Sequence, residues 1–251
     1  MSIFQLQQFA ITQSRSGMKI CSDSLLFGAL IPVEGAHRIL DIGTGTGLLA
    51  LMQAQKSDAL IDSTLEVITA VELTQAAAEE AQENFDNSPW SQTFDLIEQD
   101  IQSFAENHKA ESSARYDLII CNPPFFAEQS KTARNNPLRQ IARHTDTLSF
   151  HDLIHSIDLL LTARGRIFIL LPVTALEDFS QRALTKGFSL VQQIGIAETG
   201  EHNAKVALLQ FERAEGNTPT VKKRRINKFQ QPNVHTDEVQ ALLRPFLLRY
   251  G

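Results

Sequence analysis

The sequence predicts an α/β fold: a mostly parallel, seven-stranded sheet with helices on both faces and an antiparallel hairpin at one edge. Three observations predict it. From residue 38 onward, short apolar runs alternate with stretches of helical period. A glycine-rich turn, "GTGTG", joins the first run to its helix. The last two runs, "FSLVQQIGI" and "KVALLQFER", have no helical stretch between them, which makes them antiparallel neighbours.

Residues 1–35 read as a cap segment ahead of the main domain. Within it, "FQLQQFAI" alternates like a short strand, and "SDSLLFGALI" reads as a helix with Ser22, Asp23 or Ser24 as its N-cap. "RILDIG" is the first strand of the domain and "LLALMQAQK" its helix. "LEVITAVEL" is the second strand, followed by the helical "TQAAAEEAQENFD"; "TFDLIEQD" and "YDLIICNPP" are the third and fourth. "SFHDLIHSIDLLLTARG" has helical period up to Gly165. "RIFILLP" is the fifth strand, "TALEDFSQRALTKG" a helix, and the hairpin pair completes seven. The main domain spans 36–215, and 216–251 is expected to be a basic C-terminal extension packed on it. The irregular stretch 126–149 is long for a compact domain, and such loops are usually functional or disordered.

Composition narrows the class. Of 251 residues, 43% are hydrophobic, enough for a sizeable core. No apolar run approaches the roughly 20 residues of a membrane helix, and "MSIFQLQQFA" lacks the charged and apolar regions of a signal peptide. Cys21 and Cys121 lie far apart, without a Cys or His at metal-ligand spacing. No disulfide framework or metal site is therefore expected, and a reducing cytoplasm is. The formal net charge of −6 does not favour a general nucleic-acid coat, but it leaves room for a local basic site.

The chemistry gathers at strand ends. Gly43, Gly45 and Gly47 lie between a strand and a helix, where glycine lets the backbone turn sharply and approach a ligand closely. Glu72 ends the second strand, where a carboxylate can accept both hydroxyls of a ribose. Asp100 ends the third, where a carboxylate can meet an adenine amino group. Asp41, Glu72, Asp100 and Asn122 all fall at carboxyl ends, where open α/β sheets bind ligands. The turn alone is equally compatible with a dinucleotide dehydrogenase. With an acid ending each of the next two strands, the pattern favours a nucleoside-type cofactor.

In their order and spacing, "DIGTGTG", "AVEL", "EQD" and "NPPF" resemble the cofactor and catalytic motifs of the class I S-adenosylmethionine-dependent methyltransferases, in their amino-methylating branch. The resemblance covers roughly residues 15–215. It implies a Rossmann-like sheet and S-adenosylmethionine held by Asp41, Gly43, Gly45, Gly47, Glu72, Leu73, Asp100 and Asn122. It also implies catalysis by Asn122, Pro123, Pro124 and Phe125. An aromatic amine is a poor nucleophile because its lone pair is delocalised. The Asn122 side-chain oxygen and the Pro123 carbonyl would each accept one of its N–H bonds and encourage it to pyramidalise. Two prolines fix their own φ and add no donors, so the acceptors are preorganised. Phe125 would stack on the base, worth about 1–3 kcal/mol.

Substrate follows from wider similarity. "RSGMKICSDSLLFGALIP", "LDIGTGTGLLALMQAQ", "VELTQAAAEEAQENFDNSPW" and "NPPFF" together look like the bacterial tRNA1(Val) adenine-37 N6-methyltransferase family. That family modifies the adenine just 3′ of the anticodon, so a tRNA anticodon loop is the implied partner, with a monomer favoured. The resemblance sets the "MKICSD" segment over the methionine part of the cofactor, with Asp23 in contact; Asp23 as a plain N-cap is the other reading. The family commonly has Tyr at position 125 and Gly at position 21. Guanine-N2 rRNA methyltransferases and protein glutamine methyltransferases share the N-P-P-aromatic motif and are the alternatives, beside an RNA-binding protein without catalysis. Basic residues favour RNA: Lys131, Arg134, Arg139, Arg143 and His144 near the catalytic loop, and Lys222, Lys223, Arg224, Arg225 and Lys228 in "VKKRRINK". A solvated surface is the other reading of both clusters. His151, His155 and His202 receive no role.

Overall fold

The structure is a computed structural model that describes residues 2–15, 17, 19–111, 114–123, 148–214, 216 and 219–250, and of Glu111 only the backbone. The chain opens with a hairpin, β1 (Ile3–Gln5) and β2 (Ala10–Thr12), followed by α1 (Ser22–Leu30). Next come β3 (Arg38–Ile42), α2 (Leu48–Asp58), β4 (Val67–Glu72), α3 (Gln75–Asp86) and β5 (Phe94–Glu98). They are followed by α4 (Ile101–Glu111), β6 (Tyr116–Cys121), α5 (Phe150–Leu160), β7 (Leu161–Pro172) and α6 (Leu176–Thr185). The last elements are β8 (Phe188–Ala197), β9 (Val206–Arg213), β10 (Lys222–Asn227), β11 (Phe229–Gln231), β12 (Val234–His235) and α7 (Asp237–Leu243).

The central sheet has eight strands in the order β10-β8-β9-β7-β6-β3-β4-β5. Strands β3 to β7 pair in parallel, and β9 runs antiparallel to both β7 and β8. All seven strands expected from the sequence are present. The eighth, β10, comes from the basic segment and pairs in parallel with β8. The antiparallel pair therefore lies one strand in from the edge.

Strand alternation sends successive side chains to two separate cores. Ile39, Leu118, Ile120, Phe168 and Leu170 pack under the hairpin, α1, α2, α3 and α7. Leu40, Ile119, Cys121, Ile167 and Ile169 pack under α4, α5 and α6. With both faces covered, β3 and β6 read as nearly continuous apolar runs. The chain winds from β3 to β4 on one side and returns to β6 on the other. That leaves a switch point at the carboxyl ends of β3 and β6, which is where such sheets open a crevice.

Three local readings change. Helix α4 was not expected from the sequence, although Ile101, Phe104 and Ala105 make a buried stripe at helical spacing. Helix α5 stops at Leu160, and residues 161–165 belong to β7. There the ladder shifts register, with Tyr116 opposite Leu161 but Leu118 opposite Arg166. A Cβ at Gly165 would stand 2.5 Å from the Leu161 side chain, so the glycine makes room for that leucine to fold over it. The N-cap of α1 is Cys21, not Ser22, Asp23 or Ser24. Ser24 instead reaches back, accepting from the Cys21 N–H at 3.2 Å and donating to the Cys21 carbonyl at 2.8 Å. Cys21 has φ −129°, an extended backbone that requires no glycine.

Candidate active site on the carboxyl rim

The turn after β3 is built by backbone conformation that only glycine adopts cheaply. Gly43, Gly45 and Gly47 have φ of +69°, +58° and +80°. Their surroundings differ. A Cβ at Gly43 or Gly45 would meet nothing within 4 Å, so the space before the turn is open. A Cβ at Gly47 would stand 2.5 Å from the Phe85 ring. That ring stacks on Phe94 at a centroid distance of 4.2 Å. Gly47 is thus constrained by packing, whereas Gly43 and Gly45 border free space.

Acids frame that space. Asp41 is fully buried in β3, and Thr44 Oγ1 donates to its Oδ2 at 2.6 Å. Its Oδ1 has no hydrogen-bond partner among the described residues. Burial pushes the Asp41 carboxyl up to about 7; the Thr44 hydroxyl and the nearby Ala50 N–H oppose this, and the neighbouring Glu72 charge adds a little. Glu72 accepts the Gly45 N–H on Oε2 at 3.0 Å, and the Thr74 N–H and hydroxyl on Oε1 at 3.0 and 2.9 Å. The next residue, Leu73, is 50% exposed and presents apolar surface at the same rim.

Asp100 stands just beyond β5, which ends at Glu98, so it does not close the strand as expected. Its Oδ1 accepts the Ser103 N–H at 2.8 Å and its carbonyl accepts the Phe104 N–H at 3.0 Å, which makes it the cap of α4. Its other carboxyl oxygen takes no part in the cap.

Asn122 and Pro123 follow β6 directly and are half-buried. Ile42 pairs with Cys121 across β3 and β6, so Gly43 and Asn122 leave their strands side by side at the switch point. Burial pushes the Cys121 thiol up, with Asp41 adding to the effect, so this cysteine stays protonated. Pro124, Phe125, Lys131, Arg134, Arg139, Arg143 and His144 lie outside the described residues.

Asp23 is paired. Lys228 Nζ donates to Asp23 Oδ1 at 2.8 Å and to Ser22 Oγ at 3.1 Å, and lies 2.7 Å from Glu198 Oε1. Lys228 is only 5% exposed. Burial disfavours its charge, but hydrogen bonds and attraction from Asp23 and Glu198 outweigh that and hold its pKa above the ordinary value. The expectation that Lys228 tracks phosphates is therefore corrected: it is an internal tie between α1 and the end of β8. On β10 the remaining cations are exposed, but Arg224 pairs with Glu238 at 3.1 Å and Arg225 bonds the carbonyls of Thr199, Gly200 and His202.

The donor set suits a charged nucleoside derivative. A strand-end carboxylate whose oxygens keep lone pairs suits ribose hydroxyls. The orphaned Oδ1 of Asp41 suits a cationic group, since an unpaired buried carboxylate oxygen is costly. The open space before Gly43 and Gly45 gives such a ligand room. A separate concavity of about 450 Å³, lined by Arg164, Ser189, Glu212, Arg213 and Pro219, lies at the amino ends of the parallel strands, away from these residues.

Comparison with known proteins places the chain in a family. Residues 14–195 match the methyltransferase small domain family. A tRNA1(Val) (adenine(37)-N6)-methyltransferase of Dyadobacter fermentans is 35% identical over 248 residues, covering 98% of each chain. One of Citrobacter koseri is 38% identical over 208 residues, covering 83% of this chain and 80% of the relative. Among solved structures, a predicted O-methyltransferase of Agrobacterium tumefaciens superimposes with a TM-score of 0.65 at 18% identity, covering 88% of this chain and 94% of that one. It shares the fold.

Proposed function

Because this chain belongs to the methyltransferase small domain family and, within it, to the tRNA1(Val) (adenine(37)-N6)-methyltransferases, we propose a reading of how its rim residues divide the work. The protein is an enzyme that transfers a methyl group from S-adenosylmethionine to N6 of an adenine in tRNA. We assign the target to the adenine 3′ of the anticodon, position 37 of tRNA1(Val). A monomer is the favoured state, and a cytoplasmic location is in keeping with two unpaired cysteines. Among the described residues no helix is long and apolar enough to cross a membrane.

One observation carries the reading: Asn122 leaves β6 beside the glycine turn, at the level of the Ile42–Cys121 pair. S-adenosylmethionine, when bound, supplies an electrophilic methyl group on a sulfonium sulfur. Glu72 accepts the ribose hydroxyls, Gly43 and Gly45 let the backbone approach, and Leu73 covers the base. Asp100 accepts from the adenine amino group through its second oxygen. Asp41 balances positive charge. The Asn122 side-chain oxygen and the Pro123 carbonyl each accept an N–H of the target amine. They are set before the reaction, so no reorganisation is spent when charge develops. Pro124 stiffens this acceptor pair in the sequence, and Phe125 stacks on the base. Asp23, tied to Lys228, flanks the methionine end.

The alternatives of guanine or glutamine methylation are not favoured, since relatives of almost full-length overlap are named for adenine. Mass spectrometry of nucleosides from tRNA of a deletion strain tests the reading. Loss of N6-methyladenosine is the expected result. Its persistence, or loss of a methylated guanosine instead, overturns it.

A further inference from the structure

Helix α3 begins three residues beyond the ribose acid and carries two buried polar side chains one turn apart, Glu80 and Asn84. Both face the chain that leaves β2. Glu80 Oε1 accepts the Ser14 N–H at 2.5 Å and the Arg15 N–H at 2.8 Å. Asn84 grips Thr12 twice: its Oδ1 accepts the Thr12 N–H at 2.8 Å and its Nδ2 donates to the Thr12 carbonyl at 3.0 Å. A side-chain amide here imitates a neighbouring strand. The same Nδ2 donates to the Thr46 carbonyl at 2.9 Å. Thr46 lies inside the glycine turn. These partners fix which end of the amide is oxygen, because a flipped amide would set donor against donor.

The segment so held runs from Thr12 to Cys21, where α1 starts. Its course is closed by the Ile20 N–H, which donates to Gln13 Oε1 at 2.8 Å. Helix α1 lies alongside α2: Gln53 Nε2 donates to the Gly28 carbonyl at 3.1 Å and Lys56 Nζ to the Ala29 carbonyl at 3.0 Å. The amino ends of both helices therefore lie on the carboxyl rim, and the described residues of the segment lead along it from Thr12 beside the glycine turn to Cys21 at the start of α1.

We propose that Asn84 is a positioning residue for cofactor binding: by bonding Thr12 and Thr46 at once, it makes the N-terminal segment and the glycine turn a single wall of the site. The residue touches neither cofactor nor substrate. It acts through the Thr46 carbonyl and the backbone of the turn. This rests on the cofactor reading given above.

Titration calorimetry with S-adenosylmethionine, on the full chain, tests it. Asn84→Ala is expected to raise the dissociation constant about tenfold, the scale of one lost buried hydrogen bond, with the Michaelis constant for tRNA within about twofold. Asn84→Asp keeps the acceptor for Thr12 but sets a carboxylate against two carbonyls, and should weaken binding at least as much. Val239→Ala, a buried change in α7, should lower the melting temperature and leave the dissociation constant unmoved. A folded Asn84→Ala with wild-type affinity overturns the proposal, while wild-type protein that binds no S-adenosylmethionine overturns the cofactor reading and this inference with it. Hydrogen exchange on the wild type covers variants that do not fold. Saturating S-adenosylmethionine should slow exchange of the Thr12 and Ser14 amides together with that of Gly45; protection confined to the turn overturns the coupling.

Discussion

The backbone N–H of Gly45 donates to Oε2 of Glu72 at 3.0 Å, so the acid that ends β4 also fixes the turn that follows β3. A residue that binds ligand and holds its neighbour in shape has two routes to the same affinity.

Glu72→Ala removes the proposed ribose acceptor and leaves the Gly45 and Thr74 N–H groups without their partner. Affinity for S-adenosylmethionine should fall by about 10- to 100-fold, since hydrogen bonds to a charged group are worth about 1.5–3 kcal/mol. Titration calorimetry reads this directly. An unchanged dissociation constant would remove Glu72 from the site.

Asp41 should make S-adenosylmethionine binding depend on pH. Its carboxyl titrates near 7 because it is buried, and a cation bound beside it favours the ionised form. Between pH 6 and 8 affinity should rise about tenfold, with a proton released on binding. Stability moves the other way. The folded chain keeps a proton that the unfolded chain gives up, so stability falls as pH rises from about 4 to about 7 and is level above. Asp41→Asn should abolish both slopes. Calorimetry in buffers of different ionisation enthalpy and thermal melts against pH supply the two readings.

Asn122 and Phe125 should fail differently. Asn122→Ala should lower turnover by at least about 100-fold, as loss of a preorganised polar group does, with tRNA and cofactor binding nearly intact. Phe125→Ala should raise the Michaelis constant for tRNA as well as lower the rate, because the extruded base loses its stack. Phe125→Tyr should be mild. Single-turnover kinetics on a tRNA transcript separate the cases, and near-normal turnover in Asn122→Ala would remove the amide as the amine's acceptor.

The basic segment should divide between β10 and Lys228. Lys222 and Lys223 are exposed, and reversing both to Glu should weaken tRNA binding. The slope of log affinity against log salt should flatten by about 0.7–0.9 for each phosphate that is no longer neutralised. Survival of tRNA binding at every salt concentration would make the strand's charges a guard on an exposed sheet edge. Lys228→Met leaves Asp23 and Glu198 facing each other without their cation. It should cost about 1–3 kcal/mol of stability, discounted because both acids are partly exposed, and leave the salt slope as it was. Chemical denaturation and filter binding tell the two apart.

What the sequence by itself determined is what neighbours along the chain decide. Runs such as "YDLII" and "VITAVE" are strands because alternate residues must fill two cores, and "GTGTG" is a turn because only glycine takes three positive φ values so closely. The ends of those runs placed Glu72 and Asn122 on the rim, a consequence of strand direction alone. Even the unexpected α4 and the capping role of Asp100 are local signals that were open to reading.

Tertiary structure decided the rest, because the deciding contacts join residues far apart in the chain. Nothing in "QENFDNS" says that Asn84 will meet Thr12 and Thr46, or that Phe85 will fill the space a side chain at Gly47 would need. Formal charge made Lys228 one of a basic cluster, but its surroundings made it an internal tie, since a lysine can lose water only where carboxylates such as Asp23 and Glu198 replace it.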